Sequence, residues 1–83
     1  MDNTKDNDTQ RLQLLADRLD CVTEEDLGLL AHAKLSTLEA WRKRGLGPSY
    51  VRIGNRVLYP RKAVAEHLES LTRERTAPGK ALL

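Results

Sequence analysis

Apolar residues recur at helical spacing in four stretches of this chain and at strand spacing in two. Leu12, Leu15, Ala16 and Leu19 share one side of a helix opening near Thr9, with Asp8 or Thr9 as its cap. Residues 1–8 ahead of it are polar, without periodicity, and are expected to be disordered. Thr23 followed by Glu24, Glu25 and Asp26 has the form of a capping box, and three acids suit the positive end of a helix dipole, so a second helix is predicted from Glu24 with Leu27, Leu30 and Ala31 as its stripe. His32, Ala33 and Lys34 interrupt that pattern before Leu35, Leu38 and Trp41 begin another, which ends at Gly45, a left-handed cap after a basic last turn.

Gly47-Pro48 then breaks the chain. Residues 50–53 (YVRI) and 56–59 (RVLY) are strand-like runs around Gly54-Asn55, which predicts a tight hairpin. Pairing Ile53 with Arg56 sets Val51, Ile53, Arg56 and Leu58 on one face and Tyr50, Arg52, Val57 and Tyr59 on the other; a slip to an Asn55-Arg56 turn keeps the same strand faces, and either register puts Arg56 at or beside the tip. Pro60 opens a last helix with Val64, Leu68 and Leu71 as its stripe, and residues 72–83, broken at Pro78-Gly79, are expected to be a flexible tail. The expected domain is thus residues 9–71, mainly α with a small β-hairpin.

Composition narrows the function. With 83 residues, one Trp, two Tyr and no Phe, the core has to be small and aliphatic, and a multidomain enzyme is excluded. Cys21 has no partner for a disulfide, no stretch resembles a signal peptide, and no apolar run is long enough to span a membrane. A cytoplasmic protein without membrane attachment is expected. The net charge of +2 conceals a strong asymmetry: residues 34–62 hold eight bases against Glu39 alone. Those bases are interleaved with Gly, Trp, Tyr and Val in a segment that looks folded, which favours an anionic partner, nucleic acid ahead of membrane.

The third helix carries the sharpest signal. At 100° per residue, Leu35, Leu38, Trp41 and Arg42 gather on one side, where Trp41 reads as a packing anchor. Ser36, Ala40 and Lys43 take the other, flanked by Thr37, Glu39 and Arg44: small and hydroxylated near the start, basic near the end, as a helix seated in a major groove requires. Arg52, Gly54, Asn55 and Arg56 supply a second basic element close by, and Arg56 at a hairpin tip suits an adjacent minor groove. Lys34, Arg42, Arg61 and Lys62 are the expected further phosphate contacts. No catalytic site is expected, since no nucleophile, base and orienting group converge. His32, His67 and Cys21 lie too far apart in sequence for a usual metal-ligand spacing, so no metal or other cofactor is expected.

Residues 22–71 resemble the small winged helix-turn-helix domains of MerR-like topology found in excisionases and AlpA-type regulators. The most specific part is Trp41-Arg42-Lys43-Arg44-Gly45 followed by Gly47-Pro48, Val51-Arg52-Ile53-Gly54, Arg56-Val57 and Tyr59. This chain has His32 in the turn and Lys34 at the cap where such domains often carry Gly and Ser, and His67 where a Trp is common in the last helix. The resemblance implies that the helix over residues 36–43 enters the major groove and that the wing over residues 54–56 follows the backbone or minor groove. It further implies an excisionase, or recombination directionality factor: several copies bind and bend attachment-site double-stranded DNA and help a tyrosine recombinase excise a mobile element. An AlpA-like transcriptional regulator is the alternative within the same class, and a protein-interaction adaptor with an acidic partner is the alternative outside it. In the tail, Arg73, Arg75 and Lys80 are expected to touch DNA or a neighbouring protomer and Leu82 and Leu83 to dock on an apolar groove, giving cooperative self-association on DNA.

Overall fold

The computed structural model describes residues 4–73. They form α1 (Thr4–Arg18), β1 (Cys21–Thr23), α2 (Glu24–Ala31), α3 (Leu35–Arg44), β2 (Val51–Ile53), β3 (Arg56–Pro60) and α4 (Arg61–Leu71). The chain is therefore mainly helical with a small antiparallel sheet, as its periodicity predicts. The sheet differs in one respect: β1 joins the expected hairpin as a third strand, in the order β1-β3-β2. Three residues are too few to show a period, and Cys21–Thr23 is a strand only because β3 offers it a pairing partner. The amino-terminal boundary differs too, since α1 starts at Thr4 and takes in residues expected to be disordered. Once the amphipathic segment around Leu12 is helical, each residue added ahead of it gains a hydrogen bond without a new nucleation cost. Residues 74–83, most of the expected tail, lie outside the described residues.

Register ties the hairpin to the core. Val51 pairs Leu58, Arg52 pairs Val57 and Ile53 pairs Arg56, the first of the two expected alignments, with Gly54 at φ 60° opening the turn in the manner of type II′. Cys21, Val22 and Thr23 pair Pro60, Tyr59 and Leu58 across the other edge of β3. One face of the sheet thus carries Val22, Val57 and Tyr59, which close with Leu27 of α2, Leu38 of α3 and Val64 of α4 into the main core; Ala33 and Trp41 pack half-buried on its edge. On the other face Thr23 and Leu58 are buried, and α1, with Ala16 buried, packs against β1.

That core is small: seven apolar residues are buried among those described. Several leucines of the expected stripes stay outside it, with Leu15, Leu19, Leu30, Leu35, Leu68 and Leu71 all exposed. A repeat of apolar positions identifies a helix face, but these helices have too few partners to cover it.

The caps follow the sequence closely. Thr23 accepts a hydrogen bond from the Asp26 N–H at 3.0 Å and so starts α2. His32 ends it in the left-handed region at φ 54°, a conformation more common for glycine, and its N–H closes on the Gly28 and Leu29 carbonyls. Gly28 is buried where the turn folds back: the Ala33 N–H donates to its carbonyl at 2.9 Å, and a Cβ on Gly28 would lie 2.9 Å from the Ala33 oxygen. Only glycine admits this approach without a shift, so the angle between α2 and α3 depends on it. Gly45 at φ 73° caps α3, as predicted.

Candidate nucleic-acid interface

The carboxy-terminal half of α3 is pinned from within. Arg42 leaves the helix toward the sheet, where its Nη1 donates to Glu24 Oε2 at 2.7 Å and to the Tyr59 hydroxyl at 2.8 Å. Its guanidinium also lies over the Tyr50 ring, 5.7 Å from the centroid, and Tyr50 packs tilted on Tyr59 at 6.2 Å. Burial opposes the charge on Arg42, but the hydrogen bonds to Tyr59 and Glu24 and the nearby carboxylate outweigh it and raise its pKa above the ordinary arginine value. Only 9% of the Arg42 side chain is exposed. The expectation that Arg42 contacts phosphate is therefore corrected: its Nη1 is committed to a bridge joining the start of α2, α3 and β3. The helical wheel already set Arg42 on the inner side.

With Arg42 turned inward, the outer side of α3 is left to the other residues of the pattern. Ser36, Glu39, Ala40, Lys43 and Arg44 are exposed, and Thr37 is half-buried at the margin. Lys34, exposed, is the N-cap and makes no side-chain capping bond. The ion pair between Lys43 and Glu39 is long, 3.8 Å, and exposed, so it constrains neither side chain strongly. This strip offers a hydroxyl, a methyl, a carboxylate and two cations within about two helical turns.

The hairpin places its cations on opposite faces. Arg52 is exposed and shares the core-facing side with Val57, while Arg56 lies on the other. Arg56 stands 3.9 Å from Glu25, each side chain about half exposed. The chain path explains the pair: Thr23, the last residue of β1, pairs Leu58 and caps α2, so the first turn of that helix starts beside β3 and sets Glu24 within reach of Arg42 and Glu25 within reach of Arg56. Two carboxylates that read as dipole-complementing residues thus have second partners, Arg42 and Arg56. The β-branched pair Val22-Thr23, just before Glu24-Glu25-Asp26, is the available signal for β1, and β1 for these contacts.

Arg61 and Lys62 do not join this group. They open α4 at the far end of β3, about 17 Å along the strand from Arg56 at ~3.3 Å per residue. Arg61 donates its backbone N–H to the Asp20 carbonyl at 2.7 Å and turns its guanidinium toward the Asp20 carboxylate at 3.7 Å. Its first role is to tie α4 to the turn between α1 and β1; Lys62 is exposed beside it. Arg73 is exposed beyond α4, and Arg75, Lys80, Leu82 and Leu83 lie outside the described residues.

No family model, curated protein or solved structure matches this chain. Among the described residues no helix is long and apolar enough to cross a membrane. An open groove of about 650 Å³ runs between the end of α2 and the start of α3, lined by residues including Leu29, His32 and Leu35. Its polar side chains are the Glu25 carboxylate, the His32 imidazole and the Lys34 ammonium.

Proposed function

We propose that this chain is a winged helix-turn-helix DNA-binding protein of MerR-like topology, in which α3 enters the major groove and the β2–β3 hairpin is the wing. The observation that carries the reading is the pairing of two exposed elements on one rigid frame. The outer side of α3 presents Ser36, Ala40, Lys43 and Arg44, and the hairpin that follows presents Arg52 and Arg56. Arg42, bonded to both Glu24 and Tyr59, holds α3 and the hairpin at a fixed mutual angle. A helix with small residues at its centre approaches base edges closely, while cations at its end and on the wing meet phosphates on either side. An acidic protein partner would be met by the same cations, but would make no use of a small, hydroxylated strip between them.

Within that class the resemblance of residues 22–71 to excisionases carries the finer reading. The protein binds and bends attachment-site DNA, several copies side by side, and favours excision by a tyrosine recombinase. It acts by binding alone, without enzymatic chemistry or cofactor, in the bacterial cytoplasm. Footprinting on duplex DNA from its own genetic neighbourhood, with an excision assay with and without the protein, tests both levels. Protected adjacent sites and loss of excision without the protein are the expected results. Protection with undiminished excision would make it an AlpA-like regulator, and no protection of any duplex would remove the DNA reading.

A further inference from the structure

Glu39 is the one acid among the twenty-nine residues 34–62, and it stands on the strip of α3 proposed to face DNA. Ser36 precedes it by three residues and Lys43 follows it by four, so the three share one helix face, with Ala40 beside Glu39. From Ser36 to Lys43 the helix rises about 10 Å, roughly the span of three base pairs, and Glu39 lies between the ends. Its side chain is 58% exposed, and its partner among the described residues is Lys43 at 3.8 Å. Such a pair contributes little to a helix. A carboxylate at this place is costly for phosphate attraction, because it sits where every other charge draws the backbone in.

An ionised carboxylate only accepts hydrogen bonds. In the major groove the base-edge donors are the N4 amino group of cytosine and the N6 amino group of adenine. Adenine presents its N6 beside the N7 acceptor, which repels a carboxylate, and guanine presents two acceptors. Cytosine alone offers a donor without an adjoining acceptor on the same base. Resting on the DNA-binding reading above, we infer that Glu39 is a specificity-determining residue that selects a cytosine near the centre of the sequence read by α3. Lys43 then releases Glu39 to a phosphate contact of its own, and Ala40 leaves room for the carboxylate to reach the groove floor.

The test is selection of duplexes from a random pool by the full chain, for the parent protein, Glu39→Gln and Glu39→Ala, followed by affinity measurements on the selected duplex with the cytosine column changed to thymine. The parent is expected to select one cytosine column and to lose about 5- to 10-fold in affinity on the change to thymine, the low end for one base contact. Glu39→Ala is expected to lose that column, to bind both duplexes equally, and to bind unrelated duplex about 2- to 5-fold more tightly through the removed repulsion. Glu39→Gln, which both donates and accepts, is expected to shift the column toward adenine. A purely helix-stabilising Glu39 would instead leave the selected sequence unchanged in both variants, and that result overturns the inference. Selection of no duplex by the parent would overturn the DNA-binding reading as a whole, whereas a selected sequence without the cytosine column overturns this inference alone.

Discussion

Replacing Arg42 by Ala removes a group that joins three others, Glu24, Tyr59 and Tyr50. Glu24, with 21% of its side chain exposed, loses its charged partner, and the Tyr59 hydroxyl, on a residue 2% exposed, loses the donor it accepts from. Breaking a buried ion pair from one side costs about 3–5 kcal/mol, because the remaining charge is left without compensation. Glu24 keeps some access to water, which places the expected loss near the lower end, about 3 kcal/mol. In a domain of this size about 1 kcal/mol moves Tm by roughly 4–8 °C, so the midpoint should fall by about 12–24 °C. Arg42→Lys keeps a charge, but its chain ends one atom short of the Nη1 that makes both bonds and it lacks the planar group over Tyr50, so it should lose about 1–2 kcal/mol. Calorimetry with Arg42→Ala, Glu24→Gln and the double variant measures the coupling directly, expected at about 1.5–3 kcal/mol. At a temperature where Arg42→Ala is still folded, its DNA binding should keep the parent salt dependence, since the bridge is internal. A melt within about 0.5 kcal/mol of the parent would show that the bridge does not hold the fold, and a reduced salt slope would return Arg42 to the phosphate contacts.

Two more substitutions probe the frame and the wing. Gly28→Ala gains about 1 kcal/mol in helix propensity but forces a methyl against the Ala33 carbonyl at 2.9 Å, so a net loss of about 1–2 kcal/mol is expected by thermal or urea melting; an unchanged or raised Tm would show that the turn yields freely. Glu25→Gln removes the carboxylate 3.9 Å from Arg56 and leaves the wing cation to phosphate alone, so duplex affinity should rise by roughly 2- to 5-fold at low salt, whereas weaker binding would show that Glu25 orients Arg56 productively.

Local signals made the helices legible: the oxygen of Thr23 three residues before the Asp26 N–H, the glycine after the basic turn of α3, and the Gly54-Asn55 turn that sets Ile53 against Arg56. The exposed strip of α3 followed from 100° per residue alone. What escaped depended on partners distant in sequence. β1 is a strand through its pairing with β3, and only that pairing brings Glu24 and Glu25 to Arg42 and Arg56. Charge counting treats all eight bases of residues 34–62 alike, whereas the fold turns one inward and sets Arg61 against Asp20. Periodicity also marked Leu30, Leu35, Leu68 and Leu71 as apolar faces, but whether anything covers such a face is decided by the number of elements available, and here they remain exposed.

Equilibrium binding of the full chain to duplex DNA, followed by fluorescence anisotropy between about 50 and 200 mM salt, addresses the central claim most directly. Lys34, Lys43, Arg44, Arg52 and Arg56 are exposed on α3 and the hairpin, and about five phosphates neutralised give a slope of log K against log salt of roughly −4 to −5. Lys43→Ala and Arg52→Ala should each reduce the magnitude of that slope by about 1, while a variant at Lys62, in the first turn of α4, should reduce it less. A slope near zero, or no binding at low salt by a protein that melts cooperatively, would contradict the account.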